Sequence, residues 1–201
     1  MRRRADRHAH SGGIALKKHF GQHFLRDAHV VAQMLAAVQL DRKTSVLEIG
    51  CGDGFLTRAI LEADVARLWV FEIDTEWASR VRHDTRDARL TIFQEDILRV
   101  DFARLAANAP WTVLANLPYQ ITFPIFHLFE KHAAALREGV VMVQEEVAQK
   151  IVSQGGRSFG YLSLSFQHAF EMRLLAKVPA SAFLPPPKVV SRLLYFKPRT
   201  V

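Results

Sequence analysis

Over residues 45–144 short apolar runs alternate with amphipathic stretches, which predicts an α/β fold: a doubly wound, mostly parallel sheet closed by an antiparallel strand pair. Three observations carry this expectation. The runs 45–49, 67–73, 90–94, 111–115 and 139–144 are short, rich in β-branched, aliphatic and aromatic residues, and nearly continuous in apolar character, as strands covered on both faces must be. Helical spacing returns between or after them, near 55–62, 76–83, 123–134 and 145–153. Two further β-like runs, 161–170 and 190–197, follow the last helix with no clear helix between them, and these read as the closing pair.

Ahead of the sheet, Val30, Val31, Met34, Leu35 and Val38 share one face of a helix over 27–38, with Asp27 as its N-cap. Residues 1–19 read as a flexible basic arm and 20–201 as one catalytic domain. The first twenty residues carry Asp6 as their only acid and show no apolar period. Arg2, Arg3, Arg4, Arg7, Lys17 and Lys18 suit a phosphate backbone, but an organelle transit segment or a plain solvated tail has the same composition.

The bulk numbers narrow the partners. A net charge of +7, from 27 Lys+Arg against 20 Asp+Glu, favours a polyanion, nucleic acid before an acidic membrane surface. Cys51, the single cysteine, excludes an internal disulfide framework and fits a reducing compartment. No apolar run approaches membrane-spanning length, and the N-terminus lacks the apolar core of a secretory signal. A cytoplasmic location is expected, with an organellar one as the alternative that the Arg-rich arm allows.

The first strand ends in Glu48-Ile49-Gly50-Cys51-Gly52-Asp53-Gly54, with a glycine at every second position. A dinucleotide site would want G-x-G-x-x-G around a pyrophosphate, and Asp53 would oppose that charge. A cationic ligand, or one without phosphates, suits the loop better. The second strand ends with Glu72-Ile73-Asp74, where an acid accepts from ribose hydroxyls in nucleoside-binding folds. The third ends with Glu95-Asp96, and Asp96 is placed to accept from an adenine amino group. Glycines, then an acid, then an acid, in strand order, suggest S-adenosylmethionine.

The fourth strand runs into Asn116-Leu117-Pro118-Tyr119. Open α/β sheets bind ligands at strand carboxyl ends, and the residue before a proline leaves helical geometry. Acceptors gathered there fit a substrate that offers an amino group, with Tyr119 as a surface for a flat ring; an ordinary turn is the alternative.

Taken together, these residues resemble the KsgA/Dim-type ribosomal RNA adenine dimethyltransferases, from about Phe20 to Lys197. Gly21-Gln22-His23-Phe24-Leu25 is similar to that family's G-Q-N-F-L, the glycine run to its cofactor loop, and Asn116 through Ile121 to N-L-P-Y-N-I. Gly160-Tyr161-Leu162-Ser163 and the segment from Phe183 to Ser191 resemble G-x-L-S and F-x-P-x-P-K-V-x-S. The resemblance implies a Rossmann-like class I methyltransferase fold and dimethylation of adenine N6 in small-subunit ribosomal RNA during ribosome biogenesis. It implies a cofactor site of Gln22, His23, Leu25, Gly50, Gly52, Glu72, Asp96 and Asn116, with His23 and Gln120 where the family has Asn. It also implies a small helical C-terminal domain that this chain lacks, as a short natural form or as a catalytic-domain fragment would.

The mechanism expected from Asn116, Leu117 and Tyr119 is positional. The Asn116 side-chain oxygen and a backbone carbonyl near Leu117 accept from the adenine amine and turn its lone pair toward the methyl group, while Tyr119 and Phe183 stack on the base. The target must be single-stranded or flipped out. The protein is expected to act as a monomer, without membrane or metal. Rival readings are an Erm-type large-subunit methyltransferase and a methyltransferase-fold RNA-binding protein with little catalysis. A DNA adenine methyltransferase would more naturally carry N-P-P-Y.

Overall fold

The computed structural model describes residues 23–199 and the backbone of two short paired segments, His10–Ser11 and Ile14–Ala15. Gln22 and the cations of the basic arm lie outside the described residues. Seven strands form the main sheet: β1 (Ser45–Ile49), β2 (Arg67–Phe71), β3 (Leu90–Phe93), β4 (Trp111–Asn116), β5 (Leu136–Gln144), β6 (Phe170–Val178) and β7 (Ser191–Pro198). Their spatial order is β3-β2-β1-β4-β5-β7-β6. The first five run parallel, and β7 is inserted antiparallel between β5 and β6. This is the Rossmann-like class I methyltransferase architecture anticipated above.

Alternate side chains on each central strand enter opposite cores, which is why the strands read as unbroken apolar runs. Val46, Val70, Leu114 and Met142 join one core with α1 (Ala28–Ala36), α2 (Phe55–Glu62) and α3 (Thr75–Asp84). Leu47, Phe71, Val113 and Val143 join the other with α4 (Ala103–Ala106), α5 (Thr122–Lys131), α6 (Glu145–Val152) and α7 (Tyr161–Ala169). An aromatic cluster fills the second core, where Phe129 stacks on Phe196 at 5.2 Å and Phe126 meets Phe166 at 5.4 Å. Asp27 caps α1 as expected, its carboxylate accepting from the His29 N–H at 2.9 Å.

The first of the two expected closing strands is a helix. Residues 161–169 form α7, and the antiparallel partner of β7 is β6, which begins only at Phe170. The alternating Leu and Ser of 162–165 imitates a period of two, but burial recurs at Ser163, Phe166 and Phe170, a helical spacing. Leu164 and Tyr161 face outward, 61% and 76% exposed. Long-range contacts decide the matter. The Ser163 hydroxyl donates to the Lys150 carbonyl at 2.6 Å, and Phe166 packs on Phe126 and His127.

A second short antiparallel pair joins distant parts of the chain: Phe24–Leu25 lies against Phe183–Leu184, with Leu25 opposite Phe183. It holds the segment from His23 to Arg26 as a strap across the carboxyl ends of the sheet.

Candidate active site

The carboxyl ends of β1 to β4 and the strap enclose a cavity of about 260 Å³. The loop after β1 forms its floor. Gly50, Gly52 and Gly54 have φ of 75°, 50° and 81°, the left-handed region where a side chain is strained. At Gly52 a Cβ would also lie 2.7 Å from the Phe24 ring, so the strap rests directly on glycine backbone. The Gly50 N–H donates to the Phe71 carbonyl at 2.8 Å, locking the loop to β2.

Several contacts hold the strap down. The Arg26 N–H donates to the Ala182 carbonyl at 2.8 Å, and the Arg26 guanidinium pairs with Asp53. The His23 ring donates from Nδ1 to the Pro185 carbonyl at 2.9 Å, since a carbonyl can only accept. The Asn116 amide nitrogen donates to the His23 carbonyl at 3.0 Å. That bond fixes which way the Asn116 amide points: Nδ2 is engaged, and Oδ1 has no donor among the described residues.

Beyond Asn116, the Leu117 N–H donates to the Met142 carbonyl at 3.2 Å, anchoring the loop to β5. The following peptide has a carbonyl but no N–H, because Pro118 supplies none. Tyr119 is half-buried. Its hydroxyl shares a hydrogen bond of 2.7 Å with the buried Ser191, and its ring lies 6.1 Å from that of His23 with a tilt of 23°. Burial pushes the Tyr119 phenol up from its usual range, partly offset by the Ser191 bond.

Glu72 closes the wall at the end of β2. It accepts from the Gly52 N–H at 3.1 Å, the Asp74 N–H at 2.8 Å and the Cys51 thiol at 3.7 Å. Burial raises its carboxyl above the ordinary range, and the two backbone donors oppose that rise. Asp96 caps the turn after β3, accepting from the Leu98 N–H at 3.0 Å.

The structure therefore brings His23, Leu25, Gly50, Gly52, Glu72, Asp96, Asn116, Leu117 and Tyr119 to one cavity. Phe183 is not part of its wall. It is 4% exposed, lies in the first core, and anchors the strand pair that carries the strap. Sequence reasoning passed over Glu48, Cys51, Phe24 and the Arg26–Asp53 latch. Glu48 had a legible sign, a charged residue between Leu47 and Ile49 in a strand buried throughout. The others act through contacts between segments far apart in the chain.

The wall carries five acids, Glu48, Asp53, Glu72, Glu95 and Asp96, and no lysine or arginine among its described residues. Asp53 is paired to Arg26, Glu95 to Arg104 and Asp96 to Arg99, and burial raises the Glu48 and Glu72 carboxyls, so the wall is only mildly acidic. Lacking a lysine or arginine of its own among the described residues, it still disfavours a phosphate. The fold and this acidic, glycine-floored cavity define a class I methyltransferase.

Known proteins place the chain more finely. It belongs to the ribosomal RNA adenine dimethylase family, whose sequence profile matches residues 13–201. It is 39% identical to the ribosomal RNA small subunit methyltransferase A of Syntrophotalea carbinolica, over 90% of this chain and 68% of that protein. The protein of the same name from Proteus mirabilis is 38% identical, over 94% and 71%. Among solved structures, a dimethyladenosine transferase from Plasmodium falciparum superposes with a TM-score of 0.80 at 25% identity, covering 88% of this chain and 64% of that one. The 23S rRNA methyltransferase ErmE gives 0.78 at 26%, covering 88% and 70%. The chain thus spans about two thirds of the length of these relatives.

Proposed function

We propose that this protein is an S-adenosylmethionine-dependent dimethyltransferase that methylates the N6 atom of adenine in small-subunit ribosomal RNA, working as a monomer on an unstacked base. The observation that carries this reading is the Asn116 amide, whose nitrogen is held by the His23 carbonyl so that Oδ1 is left as an acceptor in the cavity wall, next in sequence to Leu117.

The residues present fit the cofactor. Glu72 would accept from the ribose hydroxyls and Asp96 from the adenine amine, and the left-handed glycine backbone of the floor would admit close approach. His23, Leu25 and the strap would cover the ligand, and the acids of the wall would suit its cationic groups. When bound, S-adenosylmethionine supplies an electrophilic methyl group on a positively charged sulfur.

The chain's own contribution is to orient the acceptor. An exocyclic adenine nitrogen is a weak nucleophile because its lone pair is delocalised into the ring. Asn116 Oδ1 and the Leu117 carbonyl accept its two hydrogens and draw the nitrogen toward tetrahedral geometry, which localises the lone pair. Positioning of this kind supplies on the order of several kcal/mol of the barrier. Tyr119, pinned by Ser191, offers its ring to the base, and such stacking is worth roughly 1–3 kcal/mol. The nitrogen becomes transiently cationic as the methyl arrives, the carbonyl-type acceptors stabilise that charge, and the surplus proton passes to solvent, so no strong base is needed.

The test is methyl transfer from labelled S-adenosylmethionine to ribosomal particles that lack adenine dimethylation. Label in small-subunit RNA, two methyl groups per modified adenine, is the expected result. Label in large-subunit RNA alone would reassign the substrate. RNA binding without transfer to either particle would overturn the enzymatic reading.

A further inference from the structure

The proposed function leaves one face of the target adenine uncovered. Tyr119 offers a ring to the base, but Phe183, expected from sequence to take the opposite face, is 4% exposed and lies outside the cavity wall. Another ring faces Tyr119. His23 is partly buried, lines the same cavity, and holds its imidazole at 23° to the Tyr119 ring with 6.1 Å between centroids. The other near-parallel ring pairs among the described residues lie closer: Phe102 and His132 at 4.4 Å, Phe71 and Phe93 at 4.9 Å, Phe129 and Phe196 at 5.2 Å.

Both rings are tethered, and both tethers lead to one segment. The His23 Nδ1–H donates to the Pro185 carbonyl at 2.9 Å, and the Tyr119 hydroxyl shares its 2.7 Å bond with Ser191. That segment is fixed at each end, since Leu184 pairs with Phe24 and the buried Ser191 sits in β7 between β5 and β6. Asn116 joins the same unit, because its amide nitrogen donates to the carbonyl of His23 at 3.0 Å.

We propose that the His23 ring is the second face of a slot that grips the target adenine against Tyr119. The inference rests on the adenine methyltransferase reading. A flat base between two rings needs about 7 Å, twice a carbon–carbon contact of about 3.5 Å, so entry parts the rings by about 1 Å beyond their 6.1 Å. The rings then cover the two faces of the base while Asn116 meets its edge. An asparagine in place of His23 keeps an N–H for Pro185 and presents no ring; a phenylalanine does the reverse. The two substitutions therefore separate stacking from the tie to Pro185.

Wild type, incubated with labelled S-adenosylmethionine and undermethylated ribosomal particles, first maps the adenine it modifies. A short single strand of that sequence, carrying the fluorescent base 2-aminopurine at the mapped position, is then titrated with the whole chain loaded with S-adenosylhomocysteine. Stacking quenches 2-aminopurine, so wild type should bind the strand and quench it. His23→Asn should weaken strand binding about 5- to 100-fold, the scale of one lost base–aromatic stack, and recover part of the emission. Its S-adenosylhomocysteine affinity, by calorimetry, and its melting temperature should hold. His23→Phe should restore both the quench and the strand affinity. An unquenched strand with wild type, unchanged quenching in His23→Asn, an equal loss of S-adenosylhomocysteine affinity in that variant, or no restoration in His23→Phe would each overturn the slot, while wild-type methylation of the particles keeps the enzymatic reading. Absence of methyl transfer by wild type to either particle would overturn both.

Discussion

In the proposed mechanism Asn116 serves the strap and the substrate with one amide, and its substitutions should separate the two tasks. Asn116→Ala removes both the tie to the His23 carbonyl and the free acceptor. Methyl transfer should fall at least about 100-fold, the scale of losing one preorganised polar group at a reacting centre, with the melting temperature little changed. Asn116→Asp keeps an acceptor but turns a second oxygen toward the His23 carbonyl, so it should lose cofactor affinity as well as rate; calorimetry beside a rate assay distinguishes them. Glu48 makes a prediction about the empty protein. Its carboxyl titrates at about 8 in the fold against 4.5 when unperturbed, so between those values the folded state holds a proton that the unfolded chain has lost. The stability this provides is complete below about 4.5 and is lost as pH rises through about 8. Thermal melts of the ligand-free protein should show a declining melting temperature across that window, and Glu48→Gln should flatten the decline.

At the scale of elements, the half of the sheet that reads clearly from sequence is the half buried on both faces. β1, β2 and β4 are continuous apolar runs because each alternate side chain meets a different core, and the observed strands differ from the expected ones by no more than two residues at an end. The antiparallel half reads less well. Ser163 is buried through hydrogen bonds to Lys150 and Gly160, contacts that leave no local trace, so α7 looked like a strand. Phe183 reads from sequence as a surface for the base, but its burial and its pairing with Leu25 give it an anchoring position. Gly139 in the middle of β5 was equally silent. A Cβ there would come within 2.6 Å of the Phe196 ring and 2.8 Å of the Val113 carbonyl, and the backbone atom cannot swing aside. Gly139→Ala should therefore destabilise the fold by about 1–3 kcal/mol, visible in urea unfolding. Where β7 meets α6, Arg192 grips Glu145 with two nitrogens, at 2.5 and 2.7 Å, and this bonding lowers the Glu145 carboxyl to about 2. Its contribution runs opposite to that of Glu48: present above about 4.5, lost as pH falls through about 2.

For the whole molecule, the excess of +7 predicts how an RNA complex responds to salt. The observed binding constant should fall as a power of salt concentration, steeply enough to count several phosphate contacts. Deleting residues 1–19 should reduce that slope by about 0.7–0.9 for each cation that touches a phosphate, and should leave cofactor affinity as it was. Filter binding across a salt series, beside calorimetry, measures both. No helix among the described residues is long and apolar enough to cross a membrane. The roof of the cavity and the segment that fastens it come from opposite ends of the described chain. The strap at His23 is fastened by Ala182, by Phe183–Leu184 and by Pro185, the last of these 162 residues away. During synthesis the glycine loop and the acids of β1 to β3 emerge first, so a nascent chain still short of residue 182 has a bed for the ligand and nothing to fasten the cover. Under the proposed function, tight retention of the methyl donor becomes available only once the segment around residues 182–185 has docked.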